Sequence, residues 1–126
     1  MQSGWNMEWD EAKDERGVAY VAGVQGWWDG KVGLEKSPDY LLTAAAPCPW
    51  FRPGRDYHIM TGSIDGHCFL FVDGELRIEL LDPDPIDARR YTRLGFEAYH
   101  SMIRVSQLIV RQIAWEPREQ AYPDEF

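Results

Sequence analysis

Short apolar runs alternate with turn residues along this chain, at about the spacing seen in small β-sheet domains. Asp-Gly, Pro-Gly and Ser-Pro-Asp sequences separate runs rich in Val, Ile, Phe, Tyr and Trp, and a helical period is almost absent. The pattern predicts an all-β protein. The predicted strands cover residues 5–9, 18–24, 27 or 28 to 35, 40–45, 57–63, 68–72, 75–81, 94–100 and 103–115. Eight or nine strands of these lengths predict an antiparallel β-sandwich of two packed sheets.

The most regular stretch, residues 65–82, reads DGHCFLFVDGELRIELLD. Its two Asp-Gly pairs favour type I′ turns, because both central residues of that turn need a positive φ that Asp and Gly tolerate. Two such turns predict a three-stranded meander. The middle strand, 68–72, is apolar in both phases, so we expect burial on both of its faces. The third strand is expected to bury one face, made of Leu76, Ile78 and Leu80.

The last predicted strand requires an irregularity. Ile103 and Val105 alternate in one phase and Leu108 and Val110 in the other, so a single register cannot turn all four inward. A β-bulge near residues 106–107 would bring both pairs to the same face. We expect one sandwich domain over residues 1–116, followed by a C-terminal tail at 117–126.

Composition narrows the classes of partner. The chain has 126 residues, 44% of them hydrophobic, and its 13 basic residues are scattered among 21 acidic ones for a net charge of −8. Neither nucleic acid nor an anionic membrane surface is therefore an expected partner. No apolar run approaches the roughly 20 residues of a membrane span and no secretory signal is evident, so a cytoplasmic location is expected. Cys48 and Cys68 lack metal-ligand spacing, which favours two reduced, partly buried thiols.

Residues 53–113 carry a resemblance to a known fold family. In order they contain PGRDYHI (53–59), FLFVDG (69–74), the acidic loop DPDP (82–85), RLGFEAY (93–99) and IRVSQLIV (103–110). This order resembles the C-terminal half of concanavalin A-like jelly-roll domains, above all the bacterial groups related to 3-keto-disaccharide hydrolase and laminin-G-like domains. The resemblance implies a jelly-roll sandwich and carbohydrate recognition or processing on its concave sheet face or rim loops. Domains of this superfamily are usually longer, so missing N-terminal strands and a sheet completed by a partner are both open alternatives.

Aromatic residues are the first candidates for contact with a sugar. A flat ring buries the apolar face of a pyranose, while nearby planar polar side chains bind its hydroxyls. The stretch 24–31, VQGWWDGK, holds both kinds of group, although consecutive tryptophans on a strand face opposite sides. For any single tryptophan, packing in the core is the alternative to stacking on a ligand. The ligand-binding candidates are Trp5, Trp9, Gln25, Trp27, Trp28 and Tyr99.

Carboxylates are the candidates for glycoside hydrolysis, which needs two carboxyl groups about 5 to 9 Å apart. Glu8 and Asp10 share a strand face, but the family's retaining glycosidases carry a Glu-x-Asp-x-Glu strand, and here Ala12 stands at the third acid. The carry-over from those enzymes therefore fails. The catalytic candidates are Glu35 and Glu97, as lone acids on the concave sheet, with the pair of Glu8 and Asp10 as a further alternative. Alternatively, each is an exposed strand residue paired with a Lys or Arg across the ladder.

The loop at 82–87, DPDPID, is the one candidate metal site. Asp82, Asp84 and Asp87 could supply oxygen ligands to Ca²⁺, whereas the prolines and the missing glycine favour a simple exposed connection.

These observations predict a carbohydrate-binding or accessory domain of jelly-roll type. One alternative is a glycan-cleaving enzyme, which requires two of the acids to oppose each other across a cleft. The other is an interaction module, a homodimer or a sheet completed by a second chain, which requires an exposed apolar edge near the N-terminus.

Overall fold

A computed structural model describes residues 1–26, 29–98 and 101–114. The described chain forms ten strands and no helix: β1 (Gln2–Met7), β2 (Trp9–Asp10), β3 (Glu15–Arg16), β4 (Ala19–Val24), β5 (Lys31–Ser37), β6 (Thr43–Pro47), β7 (Ile59–Ile64), β8 (His67–Val72), β9 (Glu75–Leu81) and β10 (Arg93–Glu97). All the strand pairs are antiparallel. The all-β prediction is confirmed. The described part of the chain has no helix with the length and apolar character needed to cross a bilayer.

The strands form two main sheets and a small ribbon. The first sheet has five strands in the order β10-β1-β4-β5-β6, the second has three in the order β7-β8-β9, and β2 and β3 pair only with each other. β1 lies inside the first sheet, between β10 and β4. An exposed edge near the N-terminus, which the interaction alternative required, is therefore not formed there.

The second sheet is the meander expected from the two Asp-Gly pairs. All four turn residues have a positive φ: Asp65 47°, Gly66 85°, Asp73 52° and Gly74 79°. The expectation for the third strand is wrong in one respect. Leu70 pairs with Ile78 but Phe71 pairs with Leu76, so Arg77 is an extra residue, as in a β-bulge. The bulge turns Leu76 to the opposite face from Ile78, and Leu76 is 45% exposed.

The core lies between the two main sheets in a sandwich-like arrangement. Tyr20, Ala22, Val24, Val32 and Leu34 of the first sheet pack against the second sheet. The second sheet contributes Cys68, Leu70, Val72, Ile78 and Leu80 to the same cluster. Phe69 and Phe71 point the other way and are only half-buried, so β8 is fully buried on one face rather than on both. The thiols of Cys48 and Cys68 are free and buried.

The predicted strand at 103–115 is not formed within the described residues. Residues 101–114 form no strand, and Gln107 takes a left-handed conformation with a φ of 53° at the place where a bulge was expected. Several apolar side chains of this segment are exposed: Met102, Val105, Leu108, Ile109, Val110 and Ile113. The segment has the composition of a strand but no partner strand among the described residues, and a strand needs such a partner for its backbone hydrogen bonds.

Candidate functional site

The candidate site lies on the face of the five-stranded sheet that points away from the core, which we call the outer face. Because side chains alternate along a strand, the partners of the buried core positions point outward. One row across this face runs Gly95, Gly4, Val21, Glu35 and Thr43, and the next runs Glu97, Gln2, Gly23, Gly33 and Ala45. Most of these residues are small and form a floor bordered by two carboxylates and an amide. The central residues of the floor, Gly4, Val21, Gly23 and Gly33, are buried.

The ribbon of β2 and β3 brings a cation to this floor. Trp9 and Arg16 are directly paired across the ribbon, so their side chains leave the same side of it. Two backbone hydrogen bonds at its base, from Glu8 N to Val18 O and from Gly17 N to Glu8 O, join its two arms where they continue from β1 and into β4. A Cβ built on Gly4 would lie 3.9 Å from the Cδ of Arg16. The side chain of Arg16 therefore lies over the sheet.

The guanidinium of Arg16 is loosely held, in that it makes only long hydrogen bonds. Its Nη1 donates to Glu97 Oε2 at 3.1 Å and to Gln2 Oε1 at 3.4 Å, and its Nη2 donates to Gln2 Oε1 at 3.4 Å and to the Tyr40 hydroxyl at 3.3 Å. All are longer than the ~2.7–2.9 Å of a good charge-assisted hydrogen bond. The Nε of Arg16 is buried and has no hydrogen-bond partner among the described residues. The side chain is 18% exposed, so a ligand that replaces these long hydrogen bonds must approach the guanidinium from its exposed side.

The two predicted catalytic carboxylates reach this face but do not form a pair. Glu97 lies on β10 and Glu35 on β5, and three inter-strand spacings of ~4.8 Å place their Cα atoms at least ~14 Å apart. Two strands therefore lie between the two acids, and no hydrogen bond joins their carboxyl groups among the described residues. Burial raises the pKa of Glu35, opposed by a 3.4 Å hydrogen bond from Thr43 and by the charge of Arg16. Glu97 is exposed and forms an ion pair with Arg16.

A cleft continues the site beside the ribbon. It has a volume of about 280 Å³, near the lower end of the ~300–1,000 Å³ typical of ligand pockets. Its lining includes Trp9, Tyr91, Glu11 and Arg93. Met7 also lines it and reaches the outer face, because a Cβ on Gly95 would lie 3.3 Å from the Met7 Cε. Trp9 is 37% exposed, so part of its ring is open to a ligand.

The other predicted ligand-binding residues do not join this group. Trp5 packs between the sheets, with its ring centre 5.8 Å from that of Tyr20 and its Nε1 donating to Ser63 Oγ at 3.0 Å. It is a core residue, which corrects its assignment to a ligand surface. Gln25 is exposed in the turn between β4 and β5. Trp27, Trp28 and Tyr99 lie outside the described residues.

The candidate calcium site at Asp82, Asp84 and Asp87 is also not formed among the described residues. Asp82 is buried and its Oδ2 forms an ion pair with Lys36 at 2.7 Å. The same oxygen accepts a hydrogen bond from the Tyr20 hydroxyl at 2.8 Å, while Oδ1 accepts one from the Asp84 amide at 2.9 Å. Among the residues that the structure describes, no group of three Asp, Glu, His or Cys side chains could hold a metal ion.

These hydrogen bonds give Asp82 a structural role. Burial opposes its ionisation, but the hydrogen bonds from Lys36, the Asp84 amide and Tyr20 outweigh that effect and lower its pKa. Lys36 also donates to the Asp84 carbonyl at 2.6 Å, and the Tyr20 hydroxyl accepts from the Ile86 amide at 3.1 Å. The acidic loop is therefore tied to the core of the first sheet.

Arg16 was missed by inspection of the sequence. It lies in the polar stretch DEAKDERG (10–17), where a single arginine among acids gives no pattern. The sequence pattern that could have indicated Arg16 is that of the ribbon. A strand followed by polar residues and a glycine can form a hairpin, and such a hairpin can carry charged side chains over a neighbouring sheet. Comparison of the chain with protein-family models, with curated proteins and with solved structures gave no match, so its function is inferred from the chemistry of the outer face.

Proposed function

We propose that this protein binds a neutral carbohydrate on the outer face of its five-stranded sheet, and that it does so without cleaving it. The observation that carries the proposal is the loosely held guanidinium of Arg16, which stands beside the partly exposed ring of Trp9 above a floor of small residues. Sugar sites combine these two elements, because a ring covers the C–H face of a pyranose and planar polar groups bind its hydroxyls.

The charges of the site favour a neutral ligand. Arg16 contributes one positive charge, whereas Glu35 and Glu97 contribute two carboxylates. A uronate or a phosphorylated sugar would bring a further negative charge to a face that already has an excess of them, in a protein with a net charge of −8. Hydroxyl groups, in contrast, can donate to the carboxylates and accept from the guanidinium.

The spacing of the acids favours binding over hydrolysis. Hydrolysis requires a proton donor and a second carboxylate on opposite sides of one glycosidic bond. Glu35 and Glu97 are separated by two intervening strands, and Arg16 neutralises Glu97 by direct contact.

We further infer that the sandwich is a jelly roll of the concanavalin A-like type. The support is the order of elements over residues 53–97: an extended segment, the Asp-Gly meander, an acidic loop and a return strand with Gly-Phe that joins the other sheet beside β1. In such a fold the outer face would correspond to the sheet surface on which sugar recognition is expected.

The test is isothermal titration calorimetry of the whole chain with neutral oligosaccharides, and with uronate oligosaccharides of matched length. We expect binding of at least one neutral series and no detectable binding of the acidic series. Arg16→Gln should weaken binding by roughly 10- to 100-fold, the value of one or two hydrogen bonds to a charged group. Trp9→Ala should weaken it to a similar extent, and Trp9→Phe should restore part of the loss.

The matched control is Arg104→Gln, which removes an equally charged side chain that is 79% exposed and pairs with Asp56 rather than with a residue of the outer face. Circular dichroism and thermal melting establish that each variant is folded. The proposal is wrong if the wild-type chain binds no neutral sugar at millimolar concentration, or if the Arg104 and Arg16 variants lose affinity equally.

A further inference from the structure

The two main sheets have four edges among the described residues, and they differ in how they are protected. β9 and β10 carry charged side chains along their edges, and β6 ends at Pro47. Charges and proline are the usual means by which proteins prevent an edge from pairing with another strand. The fourth edge, β7, reads IMTGSI and has neither. It is the edge most open to an additional strand.

The backbone of β7 presents a regular set of free groups. Ile64 and His67 flank the two-residue turn and form a hydrogen-bonded pair, so the pairing with β8 alternates from that point. By this alternation, the N–H and C=O groups of Ile59, Thr61 and Ser63 point to the open side. Within the described residues β7 pairs only with β8.

A strand added to β7 would also cover apolar surface that is now exposed. β7 lies opposite β1, because both Trp5 Nε1 and Asn6 Nδ2 donate to Ser63 Oγ, at 3.0 and 3.2 Å. The next position beyond β7 therefore lies opposite β10. Leu94 and Phe96 point toward that position from β10 and are 39% and 42% exposed. The second sheet is thus one strand short of covering the first.

The chain contains a segment with the properties of that strand. Residues 103–110, IRVSQLIV, are rich in β-branched and apolar residues, and Leu108, Ile109 and Val110 are 57%, 67% and 68% exposed. The charges match as well, since residues 103–111 hold two arginines and no acid while β7 is flanked by Asp56 and Asp65. The segment and the edge are complementary, and neither is paired within the described chain.

The segment does not pair with the β7 edge of its own copy within the described residues. Arg104 forms an ion pair with Asp56 at 3.3 Å. A Cβ on Gly62 would lie 3.1 Å from Ile113 Cδ1, and Gly62 pairs with Phe69 on the face of the second sheet that points away from the core. Ile113, just beyond the segment, therefore lies over that far face, and within the described residues the β7 edge has no second partner strand that would exclude the segment of another molecule.

We propose that two copies of this chain exchange residues 103–110, each adding this segment to the β7 edge of the other. A two-fold arrangement satisfies both edges and both segments at once, as closed dimers do. In each half of the dimer the added strand completes the second sheet and covers Leu94 and Phe96. This inference does not depend on the proposed sugar binding.

The test is sedimentation equilibrium of the whole chain over a range of concentrations. We expect a monomer–dimer equilibrium for the wild type. Leu108→Asp should raise the Kd of the dimer by about 100-fold or more, so that the variant is a monomer at concentrations where the wild type dimerises, because the substitution buries a charge in the added strand. The matched control is Leu41→Asp, which introduces the same charge at a leucine that is 84% exposed in the turn before β6. It should leave the dimer unchanged.

A second variant addresses the edge. Thr61→Pro removes one outward N–H of β7 without removing a hydrogen bond to β8, and should also give a monomer. The Thr61→Pro chain keeps an intact segment and the Leu108→Asp chain keeps an intact β7 edge. When the two are mixed, that segment can pair with that edge, so a mixed dimer should form although neither variant dimerises alone.

Three results would overturn the proposal: a wild-type chain that stays monomeric at every concentration, a dimer that survives Leu108→Asp, or a mixture of variants that stays monomeric. Leu108 is exposed in the single chain, so its replacement should leave the stability of the monomer unchanged. Loss of the dimer in this variant would therefore not result from unfolding.

Discussion

Replacing Lys36 with methionine tests whether the buried carboxylate of Asp82 depends on its ion pair. Lys36 Nζ lies 2.7 Å from Asp82 Oδ2, and the side chains are 22% and 2% exposed. Methionine keeps the unbranched stem of lysine and removes the charge. In the variant, Asp82 keeps hydrogen bonds from the Tyr20 hydroxyl and the Asp84 amide but loses the only cation at hydrogen-bond distance in the described structure.

The expected loss of stability follows from the burial of the pair. Removing one partner of a fully buried ion pair costs about 3–5 kcal/mol. Because Lys36 is partly exposed and two hydrogen bonds to Asp82 remain, we expect about 2–3 kcal/mol. For a domain of this size each kcal/mol lowers the Tm by roughly 3–5 °C, so the Tm should fall by roughly 6–15 °C.

The pH dependence gives an independent check. In the wild type the pKa of Asp82 is lowered, so its stabilisation is complete above the unfolded pKa and is lost as the pH falls through the folded pKa. In the variant, burial without the cation should raise the pKa of Asp82 above its unfolded value. Protonation then relieves the penalty, and the stability gap between the two proteins should narrow between pH 7 and pH 4.

The assay is urea unfolding followed by tryptophan fluorescence at several pH values. Lys31→Met is the matched control, because it makes the same substitution on the same strand at an exposed lysine, and it should change stability by less than about 0.5 kcal/mol. The reasoning is refuted if Lys36→Met costs no more than Lys31→Met at pH 7, or if the gap stays constant on acidification.

Two further predictions concern the turns and the outer face. Gly66→Ala should destabilise the protein far more than Gly74→Ala in thermal melts, although both glycines have a positive φ, because a Cβ on Gly66 would lie 2.3 Å from the Asp82 carbonyl oxygen and a Cβ on Gly74 meets nothing within 4 Å. Equal losses in the two variants would contradict this. Glu35→Gln should raise stability at pH 7 but not at pH 4, because burial raises the pKa of Glu35 and its ionised form is the unfavourable one. A stabilisation that persists unchanged at pH 4 would show that ionisation is not its cause.

The meander could be predicted from the sequence because each of its features depends on neighbouring residues. A type I′ turn is specified by two adjacent residues, and alternation over five or six residues assigns each side chain to a face. The bulge at Arg77 escaped prediction because it depends on a contact from elsewhere in the chain. The guanidinium of Arg77 lies 4.6 Å from the ring centre of Trp50, a residue 27 positions earlier in the chain. The local sequence ELRIELL does not indicate that contact.

The site was only partly predictable for a related reason. Glu35 and Glu97 were correctly singled out as strand acids, but which face they share follows from the strand order, which places β10 beside β1 rather than beside β9. Trp5 and Trp9 look equivalent in the sequence, separated by four residues, yet one packs in the core and the other lines the cleft. The left-handed residue Asn6, with a φ of 45°, lies between them, where the register of β1 shifts.

The ribbon of β2 and β3 has a practical consequence. It supplies both Arg16 and Trp9, yet it pairs with neither main sheet. Residues 9–16 could therefore be replaced as a unit, with other charged or aromatic residues at positions 9 and 16, while the strands of the two main sheets keep their sequence. A library confined to these eight positions would be a direct route to altered ligand preference in a small β-protein.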